Sequence, residues 1–291
     1  MLERGREYAT FRLVIIKGKV YVEMYREAYQ TRDFFTIWGI LQLLKLYPGK
    51  VPDLELMFWC GDIPQIMKAD YQRPNSTLLP PPLFEYCGHP ESVDIVFPDW
   101  TFWGWVETNV KPWTSTMEDI KKGNKRTMWK ERIPYAYWKG NPDVTLTRKY
   151  LMKCNSSRDK YDWNARLYSL AQTIGREGSK YVEEQLKMKY VYDYMFHLLN
   201  EYAKLLNFKP RIPKGAIKIS SQKLAGSQDG LLKKFMLESM VNSSSETLAC
   251  RMPPPFKPLA LEAFLLNKEM IKKQVEMWET EFWENLNQLE H

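Results

Sequence analysis

Short apolar runs, each cut off by a turn containing Gly, Asp or Pro, recur through the first half of this chain and constrain its fold more than any other feature. Leu54–Trp59 stops at Gly61-Asp62-Ile63-Pro64, Val93–Phe97 stops at Pro98-Asp99-Trp100, and Tyr135–Trp138 stops at Gly140-Asn141-Pro142. Apolar runs this short, bounded by turn residues, read as strands covered on both faces. Ahead of them Phe11–Ile16 and Val20–Tyr25 flank Lys17-Gly18-Lys19, a short Gly-containing connection that predicts a hairpin. From Asp33 to Leu46 the residues Phe34, Phe35, Ile37, Trp38, Ile40, Leu41 and Leu44 are apolar on most sides of a helix that Pro48-Gly49 ends, so that helix is expected to be buried. Strands with such a helix between them predict an α/β sheet domain over residues 1–168, with Trp38, Leu41, Leu44, Phe58 and Val96 in its core.

The texture then changes. Residues 169–207 are helical by period, with a stripe of Tyr181, Leu186, Tyr190, Tyr194, Leu198 and Leu205. Only Ile217-Lys218-Ile219 has strand character after that point, inside a Pro-, Ser-, Gly- and Lys-rich stretch, 208–258, that reads as an extended arm. The arm leads into a long amphipathic helix over 259–289 carrying Leu261, Leu265, Ile271, Val275, Trp278, Phe282 and Leu286, for which packing against the body is the expectation and partner binding the minority reading. The chain thus divides into 1–168, 169–207 and 208–291.

With 291 residues, 44% hydrophobic and 26% charged, the chain has material for a real core, and disorder and fibrous classes are excluded. No stretch of about 18 uncharged apolar residues occurs, so no membrane-spanning segment is read. Charge placement is more informative than the net +7: residues 111–150 hold ten Lys and Arg against Glu118, Asp119, Glu131 and Asp143, nearly the whole excess. Such a patch suggests an anionic ligand, although a solvated face explains a charge run by itself. The four cysteines, 60, 87, 154 and 250, form no Cys-x-x-Cys pair and have no His at zinc-ligand spacing, so a structural metal is not expected; two disulfides in any of three connectivities remain open. The sequons at Asn75, Asn155 and Asn242 point, like the thiols, towards a secretory compartment.

In open α/β sheets, ligands bind beyond the carboxyl ends of the strands. Asp62 lies there among Leu56, Met57, Phe58, Trp59 and Gly61, where apolar neighbours would raise its pKa to suit a general base for a hydroxyl; capping the turn before Pro64 is the equal alternative. Asp94 and Asp99 flank the second strand end and either position an acceptor or cap Trp100-Thr101-Phe102-Trp103. At the third, Arg148 and Lys149 sit in the first turn after a Thr145 cap, where the helix dipole disfavours cations by about 0.3–1 kcal/mol each. With the backbone after Gly140, Arg148 makes a cradle for a diphosphate. No Asp-x-Asp pair is present, so cations of the protein rather than a metal would neutralise a bound nucleotide.

Several strings carry a resemblance: Gln30-Thr31-Arg32-Asp33, Pro52-Asp53-Leu54-Glu55-Leu56-Met57-Phe58, Asp94-Ile95-Val96-Phe97-Pro98-Asp99-Trp100-Thr101-Phe102-Trp103-Gly104-Trp105, Gly123-Asn124-Lys125-Arg126-Thr127 and Tyr135-Ala136-Tyr137-Trp138-Lys139-Gly140-Asn141-Pro142. Over about residues 8–168 and again over 171–285 the chain resembles the plant branch of glycosyltransferase family 90, which includes Rumi-type protein O-glucosyltransferases and capsule-associated xylosyltransferases. The resemblance implies a GT-B type fold of two Rossmann-like halves and inverting, metal-independent transfer of glucose or xylose from a UDP-sugar to a protein or glycan hydroxyl in the ER or Golgi lumen. It puts Asp62 at the general base and Arg148, Gly140, Lys139 and Trp138 on the donor diphosphate, with no cofactor and no nucleic acid implied; Asp94, Asp99, Trp100 and Trp103, at the second strand end, are the acceptor-side candidates. Around the base, Trp59, Gly61 and Ile63 depart from the pattern of many relatives.

A larger departure follows. Relatives place a strand-rich segment between the strings matching Asp162-Trp163-Asn164-Ala165-Arg166-Leu167 and Gly178-Ser179-Lys180-Tyr181-Val182, and here the two nearly touch. The expectation is therefore a shortened form whose residues 169–207 are the helical remnant of the donor half. The signal anchor of relatives, the family's only link to a membrane, is likewise not seen. A non-catalytic binding remnant is the alternative.

Overall fold

The structure, a computed structural model, describes residues 2–72, 78–128, 131, 132, 143 and 168–289. The Tyr135–Trp138 run and the whole proposed diphosphate cradle lie outside the described residues.

Strands β1 (Phe11–Ile16) and β2 (Lys19–Met24) form the expected antiparallel hairpin, pairing Ile16 with Lys19 and Phe11 with Met24. Its two-residue turn needs positive φ at both positions, and Lys17 (49°) and Gly18 (69°) supply it. The Asp53 carboxylate fixes the turn by accepting from the Lys17 backbone N–H at 2.6 Å. Strand β3 (Leu54–Phe58) lies antiparallel to β1 on the hairpin's other side and is buried at every position, as its mainly apolar run predicted, Glu55 included. Parallel to β3 come β4 (Phe84–Glu85) and then β5 (Ile95–Val96), and on the far edge β6 (Ile217–Ile219) pairs antiparallel with β2. The sheet order is β5-β4-β3-β1-β2-β6.

Helix α1 (Arg32–Leu46) covers one face, with eleven residues buried. Trp38, Leu41 and Phe58 are core residues as expected and Leu44 is partly buried, but Val96 is 40% exposed because β5 is an edge strand, and Phe97 fills the core instead. The single-turn helix α2 (Lys68–Tyr71) and the longer α3 (Trp113–Arg126) follow, then α4 (Tyr168–Gln185) and α5 (Met188–Lys204). The two last break at Leu186-Lys187, which resets the helical phase. The stripe read across 169–207 is therefore not the packed one: Tyr181, Tyr190, Tyr194 and Leu205 are exposed, while α5 buries Val191, Tyr192, Met195, Leu199 and Tyr202.

Much of the stretch read as an arm is folded onto the sheet. Helices α6 (Ser221–Gly226) and α7 (Gly230–Glu238) bury Leu224, Ala225, Phe235 and Met236. Their surroundings lock α1: Trp38 Nε1 donates to Ser239 Oγ at 3.0 Å, and Gln42 accepts from the Val241 backbone N–H at 2.9 Å. Local composition could not show this, because the partners are almost 200 residues away in sequence. Residues 1–249 form one compact unit and 250–291 a second, which holds α8 (Pro258–Leu289).

Candidate functional site

Because β3, β4 and β5 run parallel, their carboxyl ends open on the same edge of the sheet. Cys60-Gly61-Asp62 follows β3, Tyr86-Cys87 follows β4, and Phe97-Pro98-Asp99-Trp100 follows β5. The amino end of α1 brings Arg32 to this edge.

Arg32 and Asp62 form its centre. The guanidinium donates from Nη1 to Asp62 Oδ1 at 2.7 Å and from Nη2 to Oδ2 at 3.2 Å, a two-pronged grip that fixes the plane of the carboxylate. Nη1 also reaches the Cys60 carbonyl at 3.3 Å. The pair is lopsided: the Arg32 side chain is 5% exposed and that of Asp62 70%. Arg32 is held by aromatic rings as well, its guanidinium carbon 4.4 Å from the centre of Trp100 and 5.1 Å from that of Tyr29. The apolar surroundings expected for Asp62 are thus replaced by an ion pair and open solvent, since the chain turns outward at Gly61. A side chain at Gly61 would strike the Trp59 ring, its Cβ falling 2.3 Å from it.

The loop before α1 is anchored on both sides. Gln30 sits in the left-handed region (φ 62°), unusual for its type, while its Oε1 accepts from Trp105 Nε1 at 2.8 Å; Thr31 Oγ1 donates to Glu107 at 3.0 Å. Deeper in, the Tyr86 hydroxyl lies 2.5 Å from Thr36 Oγ1, and burial pushes the Cys60 thiol up to about 12, an inert position for it. The Cys87 thiol is raised too, by burial and then by the Glu85, Asp62 and Asp99 carboxylates nearby.

The remaining candidates part company. Asp94 accepts from the Ile66 and Gln65 backbone N–H groups at 3.0–3.3 Å, tying down the chain just past Asp62, and burial raises its pKa. Asp99 caps the turn at Trp100–Phe102 by accepting from Thr101 at 2.9 Å, so its local role is the capping one. Trp100 is the buried floor beneath Arg32. Trp103 offers no face to a ligand: it is fully buried, its Nε1 bonded to Tyr192 at 2.9 Å and its ring filling the space a side chain at Gly39 would need. Arg148, Gly140, Lys139, Trp138, Asn75 and Asn155 lie outside the described residues, whereas Asn242 is exposed. Cys60 and Cys87 are free thiols, not paired with each other. No described helix is long and apolar enough to cross a membrane.

Arg32 is what sequence reasoning missed. Its signal was present: a cation at the first position of a mostly apolar helix opposes the helix dipole and calls for an anion facing it.

Beyond the parallel strands of a mixed α/β sheet, the site therefore presents one exposed carboxylate, Asp62, gripped by a buried arginine. The sequence profile of glycosyl transferase family 90 matches residues 1–170 and 169–279, and the chain belongs to that family. Similar proteins include human protein O-glucosyltransferase 1, 26% identical over 162 residues that cover 50% of this chain and 39% of the human one, and its Bos taurus counterpart with the same figures. The O-glucosyltransferase rumi homolog of Aedes aegypti is 23% identical over 212 residues, 67% of this chain and 48% of the mosquito protein. The chain therefore spans less than half the length of these relatives.

Proposed function

We propose that this chain is the acceptor-side portion of an inverting glycosyltransferase with a GT-B type fold, acting on a UDP-sugar and on a protein or glycan hydroxyl. The observation that carries the reading is the solvent-facing Asp62 carboxylate held two-pronged by a buried arginine. In the reaction the acceptor oxygen forms its bond to the anomeric carbon while the bond to the UDP oxygen breaks, and the acceptor proton passes to Asp62. Arg32 keeps the carboxylate aimed without blocking its open side. The departing diphosphate would be received by Arg148, Lys139, the Gly140 turn and Trp138, with no metal or other cofactor required. The donor sugar is glucose or xylose, and the compartment the ER or Golgi lumen.

A second reading, a shortened chain without catalysis, is favoured by one specific observation. Among the described residues after 168 the only strand is β6, and it joins the first sheet rather than starting a second. The family match also divides at residues 169–170, where the strand-rich donor segment of relatives would fall.

One experiment addresses both. The unaltered chain is expected to bind UDP-glucose and UDP-xylose weakly in calorimetry, and low-micromolar affinity would overturn the idea of an incomplete donor side. When the missing segment is supplied from a full-length relative, Asp62→Asn is expected to lower sugar transfer about 10²–10⁴-fold. Because the buried Arg32 loses its counter-charge, stability should also fall, by about 1–3 kcal/mol, so transfer is compared at a temperature where circular dichroism shows both proteins folded. Near-normal transfer would remove Asp62 from the chemistry.

A further inference from the structure

The 32-residue helix α8 presents a seam of its own. Phe264, Ile271, Val275 and Trp278 recur at three- and four-residue spacing and are each more than half exposed. By sequence position the same seam continues through Phe282 to Leu289, interrupted only by Lys268 and Asn285. A 3.5-residue repeat sustained over this length is the pattern of helices that pair along a seam.

Two independent features identify the mate. The first is the placement of the two polar seam residues. If a second copy of the helix lies antiparallel so that Val275 meets Trp278, then Ile271 meets Phe282, Phe264 meets Leu289, and Lys268 meets Asn285 of that copy. Apolar faces apolar and polar faces polar throughout, and polar seam residues fix register in helix pairs because misregister would bury them against apolar groups. The second feature is charge. The first half of α8 carries Lys268, Lys272 and Lys273 against Glu262 and Glu269, whereas from residue 274 onward Glu276, Glu279, Glu281 and Glu284 have no Lys or Arg among them. Glutamates towards the carboxyl end run against the helix dipole, so this polarity does not serve the single helix. Reversed onto itself, it sets the basic half against the acidic half, and the same register brings Lys272 beside Glu279 of the second copy at the edge of the seam, twice by symmetry.

We propose that α8 is a self-association element that pairs two copies of this chain antiparallel through the Phe264–Leu289 seam. Leu266, Met270 and Met277 lie off the seam and stay outside the pair.

Sedimentation equilibrium of the full chain tests it. A concentration-dependent dimer is expected, and Val275→Glu in the central layer should abolish it while far-ultraviolet circular dichroism still reports the folded unit. K272E and E279K should each weaken dimerisation about tenfold, by turning two attractive contacts repulsive. An equimolar mixture of those two variants should form mixed dimers about as tight as the unaltered protein, because in the mixed pair both contacts are again between opposite charges. Lys272 also lies 3.7 Å from Glu276 within its own helix, a contact that mixing cannot restore, so recovery reports the pairing between copies. A monomer at tens of micromolar, with α8 packed on its own chain, overturns the proposal. So does a higher-order assembly, a dimer indifferent to Val275→Glu, or a mixture no tighter than its components.

Discussion

The two faces of the central sheet treat buried polar groups differently. On the face covered by α1, α5, α6 and α7, strands β1, β3 and β4 contribute Phe11, Leu13, Ile15, Leu56, Phe58 and Phe84, and the helices arrive with polar groups that find mates. Trp103 bonds Tyr192, Trp38 bonds Ser239, Tyr47 bonds Asp193, and Tyr202 donates to the Glu55 carbonyl at 2.9 Å. Among the described residues the opposite face has a small cluster of Leu2, Ala9, Met57, Ile66 and Leu83, under the turn Leu2–Glu7 and the single-turn helix α2. Strand alternation sends Arg12, Glu55 and Glu85 to that side. Arg12 pairs with both Glu55 and Glu3, but Glu85 is fully buried on β4 with neither carboxyl oxygen bonded. The thickly covered face leaves only single N–H groups unbonded, Trp100 Nε1 and Arg32 Nε among the described residues, whereas the thinly covered one encloses a whole carboxyl without a partner.

The largest break in this contrast should come from the thick face. Trp103→Ala removes a filled volume and leaves the Tyr192 hydroxyl without its donor, and a loss of about 3–5 kcal/mol in urea unfolding is expected. A loss below about 1 kcal/mol would mean that this face is not the stabilising one.

Glu85→Met should go the other way, because it removes an unsatisfied buried carboxyl and keeps most of the volume. Burial, and after it the Asp94 carboxylate, holds the Glu85 carboxyl up at about 8, against about 4.3 in an unfolded chain. Folding therefore takes up a proton between those values, so the stabilising contribution of this group is complete below about pH 4 and is lost as pH rises through 8. The variant lacks that slope: its advantage should be small at pH 5 and reach about 1–3 kcal/mol by pH 8, read from thermal melts across that range. An advantage independent of pH would show that Glu85 does not hold its proton in the fold.

The smallest effect belongs to the hairpin turn. Lys17 holds a φ of 49° that Asn tolerates better, so Lys17→Asn should gain less than about 1 kcal/mol, seen as a slightly higher melting temperature. The Asp53 bond goes to the backbone and survives the change.

Legibility followed sequence distance. The hairpin, the burial of α1 and the fully covered β3 were readable because each depends on residues within one short window. Strand β4 was missed because Phe84-Glu85 is two residues long, too short for any pattern to mark it as a buried strand. The packed face of α5 was misassigned because a break of two residues shifts helical phase, and residues 217–241 were taken for part of an arm because their partners Trp38 and Gln42 belong to the other end of the chain. At the site, position beyond a strand end singled out Asp62, and the same reasoning placed Trp103 among ligand-facing residues although the fold uses it as core.

By itself the sequence determined the hairpin and the β3 run with its stop, the apolar character of α1, the family strings and the position of Asp62 beyond β3; the hairpin's register, with Lys19 inside β2, came from the structure. These are properties of local spacing and residue type. Tertiary structure alone decided that Arg32, thirty residues before Asp62, would take both of its oxygens, that Trp100 would lie beneath the guanidinium, and that Glu85 would be enclosed without a partner. Those outcomes depend on which strands become neighbours and on how thickly each face is covered, and neither is set until segments far apart in sequence are brought together.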